Sequence, residues 1–396
     1  MKDWHLARGY RYAGVHSGLR PDLDRLDLAM VVSDTPASAA GVFTQNRVVA
    51  APVRICRERL PRPDARGIVI CSGNANACTG EQGLQDARRM AALGSQTIGC
   101  QAEQVLVCST GVIGRPLPMR EIEGGIHAAA ESLEPSAAAL DRAAYAILTT
   151  DTRIKVSTRT FALDGTEVSV TGFAKGAAMI GPNMATMLAF VLTDAAVAPE
   201  NLSAIARRAA QQSFNCISVE GHTSTNDTLL LLANGQGPRL GEPQQARFED
   251  AATAVCVDLA QAIIADAEGA SHFVTISVDG LADDDQAHQV AKVIAESALV
   301  KTAIFGADPN WGRFVSAAGY AGVPFEEQHL SLWLGDILLY HAGTPQPFDA
   351  ATASAYLKHN RNIELRLRFA LGSGRCTFWT CDLGYEYVRL NAEYTT

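Results

Sequence analysis

The sequence lacks the features that would send a protein to a membrane or out of a cell. Its longest apolar runs, such as AYAILTT and TLLLLAN, fall well short of the ~20 residues a spanning helix needs. The opening MKDWHLARGYRYAG has no apolar stretch of the kind a secretion signal carries, so a cytoplasmic protein is expected. No two cysteines form a CxxC pair, and none stands beside a histidine at zinc-ligand spacing. The nine cysteines, at 56, 71, 78, 100, 108, 216, 256, 376 and 381, therefore read mostly as small buried hydrophobes, and no metal is expected. Basic residues are outnumbered, 33 Lys and Arg against 42 Asp and Glu, and they form no cluster. A net charge of −9 argues against a nucleic-acid binder and leaves a small molecule as the expected partner. There is no G-x-G-x-x-G and no Walker-type spacing, so no nucleotide cofactor is expected.

What remains is a globular composition, 47% apolar and 19% charged, in a chain too long for one ordinary core. Strand-like and helix-like patterns alternate. RGIVIC and VLVCS read as strands that each run into a loop of small residues, and EQGLQDARRMAAL follows the first as a helix. EIEGGIHAAAESL, SAAALDRAAYAIL, PENLSAIARRAAQQS and ARFEDAATAVCVDLAQAIIADA read as helices, and the DG of LDGTEVSV predicts a hairpin. From about Leu281 an acidic linker leads to DQAHQVAKVIAESAL, read as one helix, and then to IELRLRF. That run alternates apolar and polar, turns at Gly372–Gly374 and returns, which predicts a half-buried antiparallel hairpin. The reading is α/β, with a catalytic layered unit over 1–280 and a smaller α/β unit over 281–396.

Four stretches carry candidate chemistry. STGVIG, Ser109 to Gly114, follows a strand and can aim backbone N–H groups and a hydroxyl at a developing oxyanion; it can equally be a plain glycine turn. EGHTSTND, Glu220 to Asp227, is dense in groups that often do no more than cap turns. In GADPNWGR, Arg313 either clamps a carboxylate or braces the turn, and Trp311 either packs or does not. GPNMATMLAFVL places one hydroxyl, Thr186, at the mouth of an apolar strand. A threonine hydroxyl is a poor nucleophile without a base in reach. Cutting the chain before it would supply one, since a free α-amine has a pKa of about 8. Ala185 and Gly181–Pro182 suit such a turn, and Lys175 is an amine just upstream. The physics of the stretch permits this and equally permits a buried, inward threonine.

Taken together the motifs resemble the ornithine acetyltransferase family, the bifunctional glutamate N-acetyltransferases of arginine biosynthesis. The resemblance runs from ARGYRYAG and SDTPASAAGVFTQNRVVAAPV through SGNANACTG, STGVIG and TTDT. It continues through KGAAMIGPNMATMLAFVLTDA, STNDTLLLLANG, EGASHF, DPNWGR and AAGYAG to the terminal NAEYTT. It implies a layered fold of the N-terminal-nucleophile kind, with helices outside central sheets. It implies self-cleavage between Ala185 and Thr186, giving chains 1–185 and 186–396 in an α2β2 heterotetramer. Thr186 is then the nucleophile, and Thr110 and Gly111 are the oxyanion-stabilising pair. Substrate contacts carry over to Thr149 (chosen over its neighbour Thr150), Lys175, Thr186, Glu268, Asn391 and Thr396. The implied reaction moves acetyl from N-acetylornithine to glutamate without a cofactor; acetyl-CoA is a further possible donor.

The sequence departs from the family pattern at four places. His222 stands where Asp is common, His272 where Lys is common, Gly181 where His is frequent, and Cys71 where Asn is usual. The two histidines change the charge of loops expected to border the site, and so bear on substrate preference or pH response. Two alternatives stay open from the sequence: a related self-processing aminopeptidase or amidase, and an uncleaved, non-catalytic binding protein.

Overall fold

The computed structural model describes residues 4–22, 24–163, 165–181 and 187–393. The scissile pair Ala185–Thr186 and the tail residue Thr396 lie outside the described residues. Two mixed sheets organise the chain. The first is built from β1 (Tyr10–Val15), β2 (Leu28–Phe43), β3 (Arg62–Asn74), β4 (Val105–Val112), β5 (Lys155–Leu163), β6 (Thr166–Lys175) and β7 (Leu188–Thr193). The two-residue β8 (Ile217–Ser218) joins the other sheet, and β9 (Thr228–Ala233) completes the first, in the order β4-β3-β2-β9-β7-β6-β5 with β1 beside β2. Neighbours β3 and β4 run parallel, as do β7 and β9.

The continuous apolar runs LAFVLT and TLLLLA are explained by their position. Every residue of β7 and β9 is buried, as expected of strands covered on both faces. On one face Val170, Ala189, Val191, Leu229 and Leu231 meet the helices Pro199–Gln211 and Glu242–Ile264, in a core that runs on through the second sheet. On the other, Phe173 stacks on Phe190 at 4.9 Å within the core shared with helix Ala137–Ala146. The edge toward β4 is covered by helices Gly80–Ile98 and Met119–Glu131. The result is a mixed α/β architecture in which the mouth of β7 opens beside the ends of β4, β6 and β9.

The second sheet is built from β10 (Phe273–Leu281), β11 (Ser331–Leu334), β12 (Ile337–His341), β13 (Thr344–Pro345), β14 (Asn362–Arg368) and β15 (Gly374–Cys381), ordered β13-β12-β11-β14-β10-β15-β8. The alternation read in IELRLRF is real: Ile363, Leu365 and Leu367 are buried, while Glu364, Arg366 and Arg368 are exposed. The hairpin is not. β14 pairs parallel with β10 and β15 pairs antiparallel with β10, so β10 lies between the two strands expected to pair. The intervening turn is packed against the end of β10. A side chain at Gly372 would come 2.5 Å from the Leu281 carbonyl oxygen, and one at Gly374 2.1 Å from that of Asp283. The single helix expected over DQAHQVAKVIAESAL is two, Asp284–Glu296 and Ala298–Phe305, because Ser297 turns extended and caps the second through Val300 N–H.

Candidate active site

The loop STGVIG is the end of β4, and its shape is fixed by what it lies against. Gly111 pairs with Gly73 and has φ +130°, and a side chain there would come 2.3 Å from the Gly73 carbonyl carbon. Glycine is required at 111 by conformation and by contact alike. The loop is pinned from behind by the STND motif. Asn226 Nδ2 donates to the Ala75 carbonyl at 2.6 Å and to the Ser109 carbonyl at 2.9 Å, and the Ser109 hydroxyl donates to Ala75 at 2.5 Å. Thr44 Oγ1 donates to Ser224 O at 2.6 Å. The polar density of this motif thus ties β2, β3, β4 and β9 into one rigid cluster, where sequence reading saw turn caps.

Lys175 ends β6 and is buried. Its Nζ lies 3.4 Å from Thr110 Oγ1 and 4.0 Å from Asp151 Oδ2. Asp151 in turn accepts from Gly176 N–H at 2.6 Å and from Lys155 Nζ at 2.7 Å, and Lys155 reaches Asp266 at 2.6 Å. Burial works to raise the Asp151 carboxyl, but the Lys175 and Lys155 ammonium groups and the Gly176 bond hold it well below the carboxylate range. Burial lowers the Lys175 amine, opposed by Asp151. Two carboxylates and two ammonium groups therefore balance beneath the site. Thr152 adds its N–H at 3.0 Å and its hydroxyl to Asp266, joining the TTDT loop to the segment before Glu268.

In front of this network lies a cavity of about 550 Å³, whose wall includes Arg20, Arg25, Gly111, Thr149, Glu268 and Leu390. Arg20 donates to Leu148 O at 2.7 Å and Arg25 to Thr149 O at 3.1 Å, so both arginines are braced on the TTDT approach. Glu268 is held by its N–H on Ala177 O at 2.9 Å, and its Oε2 accepts from Asn391 Nδ2 at 3.2 Å. The helix Tyr385–Glu393 reaches this position because residue 269 is glycine: at φ +66°, a side chain there would come 2.3 Å from Tyr387 N. The lining carries both signs of charge, Arg20, Arg25 and Arg115 with Asp22 and Glu268, which suits a small molecule carrying both charges.

The structure brings Gly111, Thr149 and Glu268 to one cavity, with Asn391 bonded to Glu268 and Thr110 beside Lys175. Neither Thr110 nor Lys175 is part of the cavity wall. Thr149 and Thr150 both line the cavity. Thr186 lies outside the described residues; its neighbour Met187 directly precedes β7. Asp151, Lys155, Asp266 and the two arginines were missed as site residues. The one signal was compositional: lysine within a strand pattern, at KVST, calls for a buried partner. Among the described residues no cluster of metal-ligating side chains is present.

The departures from the family pattern resolve locally. His222 is exposed and does not line the cavity. His272 does not line it either; its Nδ1 bonds Asp382 Oδ2 at 2.7 Å and its Nε2 bonds Leu357 O at 2.9 Å, so it fastens the EGAS loop to β15 and helix Ala350–His359. Cys71 is fully buried, its thiol pushed up to about 12 by burial and by Asp27. A side chain at Gly181 would come 2.5 Å from the carbonyl carbon of Gly221. In GADPNWGR, Arg313 braces Leu299 O at 3.0 Å and Trp311 stacks on Tyr340 at 5.6 Å, so this motif packs rather than binds.

Beside Gly181, burial pushes the Glu220 carboxyl up to about 7, against the opposing N–H groups of Ile180, Met179 and His222 and the charge of Lys301. A folded value above the ordinary 4.5 means the native state keeps a proton that the unfolded chain loses. Stability contributed by this group therefore falls as pH rises from about 4.5 to about 7, and the cost is complete above that window. Glu220→Gln is expected to raise the melting temperature by a few degrees at pH 8 and to change it little at pH 4.5. Scanning calorimetry at the two pH values checks this; equal shifts at both would contradict it.

A family model described as the ArgJ family matches residues 11–396. This chain belongs to the ArgJ family. Two relatives, each named arginine biosynthesis bifunctional protein ArgJ, are similar over essentially their whole length. That of Thermosynechococcus vestitus is 46% identical over 98% of this chain and 97% of its own. That of Geobacter sulfurreducens is 44% identical over 98% and 99%. A crystal structure of arginine biosynthesis bifunctional protein ArgJ from Bacillus halodurans matches with a TM-score of 0.50 and 39% identity. The match covers 52% of this chain and 98% of that one. The family resemblance read from the motifs and the mixed α/β fold are thus both borne out.

Proposed function

We propose that this ArgJ-family enzyme transfers acetyl from N-acetylornithine to glutamate through an acetyl-Thr186 intermediate, in arginine biosynthesis. The observation that carries the reading is the convergence of Gly111, in a fixed glycine loop, with Thr149 and Glu268 at one cavity, Thr110 standing next to Gly111 and 3.4 Å from Lys175 at the end of β6. Self-cleavage between Ala185 and Thr186 frees the α-amine that serves as the base. That the Bacillus halodurans chain is nearly all matched by about half of this one supports a two-chain mature form.

On this reading the Thr186 hydroxyl attacks the acetyl carbonyl as the α-amine takes its proton. The Thr110 and Gly111 groups stabilise the oxyanion, because donors fixed beforehand need no reorganisation when charge develops. Ornithine leaves, and glutamate attacks the acetyl-enzyme to give N-acetylglutamate. Glu268, held by Asn391, meets the substrate ammonium; the arginines of the cavity lining supply positive charge for a carboxylate; Lys175 acts through its contact with Thr110. Thr396 is assigned to the same site from the motif. The division into units 1–280 and 281–396, the α2β2 assembly, a cytoplasmic location and the use of acetyl-CoA belong to the same proposal. No described helix is long and apolar enough to cross a membrane.

The experiment is an acetyl-transfer assay with N-acetylornithine and glutamate, run beside a denaturing gel. Two bands and stoichiometric N-acetylglutamate are expected. Free acetate without N-acetylglutamate would favour an amidase, and a single full-length band would sink the cleaved-threonine mechanism.

A further inference from the structure

The segment that carries Glu268 hangs on one buried carboxylate. Asp382 directly follows β15, and its side chain is inaccessible to solvent. It is a fixed post: the buried Lys301 ammonium donates to Thr380 Oγ1 at 2.8 Å and to the Cys381 carbonyl, anchoring the end of β15. The EGAS loop closes on this post with four donors. Ser271 N–H and His272 N–H reach Oδ1 at 2.9 and 3.0 Å, while the Ser271 hydroxyl and His272 Nδ1 reach Oδ2, the ring at 2.7 Å. Glu268 stands just upstream of this loop. The helix Tyr385–Glu393, which brings Asn391 to Glu268, starts just downstream of Asp382. Glu268 and its amide partner are thus both tied to the Asp382 joint.

The geometry requires His272 to be charged. Its Nε2 faces the Leu357 carbonyl at 2.9 Å, an acceptor with no proton to give. Asp382 is an acceptor too: burial works to raise its carboxyl, but the His272 and Ser271 bonds hold it below the ordinary value. Both ring nitrogens therefore donate, which is the imidazolium. A neutral ring would satisfy one acceptor and leave a buried carboxylate without its counter-charge. The Asp382 bond, with the Asp382 charge and the Leu357 bond, raises the imidazole above its ordinary 6.5, opposed by burial and the Arg361 charge. On the elements packed alongside, burial pushes up the Cys381 thiol and brings the Tyr387 phenol to about 12, so both stay neutral. Lys358 and His359, next to Leu357, are exposed. Ser271, His272 and Asp382 do not form a nucleophile relay, because serine and aspartate share Nδ1 and Nε2 is spent on the backbone.

We propose that His272 is a positioning residue for ornithine-type substrates: as an imidazolium it locks the EGAS loop onto Asp382 and so holds Glu268 where the substrate ammonium meets it. This role rests on the reading above, in which Glu268 takes that ammonium. When the ring loses its proton, one of its two bonds becomes a lone pair facing an oxygen, and the joint loosens. Glu268 is tied to the exposed Asn391 by a bond of 3.2 Å, which does not hold the carboxylate in place once the loop shifts. With the folded value raised, the lock is complete below about 6.5 and is lost as pH rises through the raised value. Ornithine affinity falls in the same direction.

The test is isothermal titration of ornithine into wild type, His272→Gln and His272→Lys between pH 6 and pH 9, with circular dichroism to show that each is folded. Glutamine keeps a donor without the charge; lysine keeps a charge that does not titrate in this range. At pH 6, His272→Gln is expected to bind about tenfold more weakly than wild type, the scale of one charge-assisted contact. His272→Lys should bind as wild type does. As pH rises, wild type should lose about tenfold relative to His272→Lys, a ratio in which the ligand's own titration cancels and which decides the matter should glutamine not fold. In a Glu268→Gln background, His272→Gln should weaken binding no further. Lysine as weak as glutamine at pH 6, a wild-type curve parallel to that of lysine, or a full loss from His272→Gln without Glu268 would each overturn the positioning role and leave the acetyl-transfer reading intact. Undiminished ornithine affinity in Glu268→Gln overturns the reading of Glu268 itself, and the proposal with it.

Discussion

Gly111→Ala is expected to lower kcat for acetyl transfer by about 10²–10³-fold, the loss typical of one displaced oxyanion donor. The cause is steric rather than chemical. The backbone at 111 has φ +130°, and the new methyl would come 2.3 Å from the Gly73 carbonyl carbon and 2.6 Å from Asn74 N. Both are backbone atoms of β3, which cannot swing aside as a flexible side chain would. The loop must move instead, and Thr110 moves with it relative to Lys175. On the proposed assignment Glu268 and the arginines stay in place to bind substrate, so KM should change far less than kcat. Steady-state kinetics with N-acetylornithine and glutamate separate the two. A loss confined to KM would show that the loop binds substrate without stabilising the transition state.

Lys155→Met is expected to be the most destabilising single change in the ion network. Lys155 is fully buried and bonded to Asp151 and Asp266 at 2.7 and 2.6 Å. Methionine fills similar volume but leaves two buried carboxylates facing only Lys175 and the partly exposed Arg153, which lies 3.8 Å from Asp266. Removing one partner of a buried ion pair costs about 3–5 kcal/mol, because the orphaned charge stays desolvated. Urea unfolding measures the loss. Adding Asp266→Asn to Lys155→Met should recover part of it by removing one orphan charge; a double variant less stable than the single would argue against this charge balance.

These residues also show where sequence reading runs out. The strands RGIVIC, VLVCS and TLLLLA were legible because a continuous apolar run bounded by small residues has few other solutions. The glycine loop and Glu268 were legible only through a family resemblance, since nothing local separates Gly111 from an ordinary turn glycine. The pairing of IELRLRF was misread because alternation reports which face is buried, not which strand lies alongside; β10, more than eighty residues earlier, takes the place the hairpin partner was expected to fill. Lys155 and Asp266, separated by 111 positions, meet only once the fold is closed.

The central claim is that the chain is cut before Thr186 and that this residue then carries the acetyl group. Intact-protein mass spectrometry after incubation with N-acetylornithine, in the absence of glutamate, tests both halves at once. The account predicts two chains, 1–185 and 186–396, with the second heavier by one acetyl group that is lost when glutamate is added. A single uncut chain, or a 186–396 chain that never gains the acetyl mass while transfer proceeds, would contradict it.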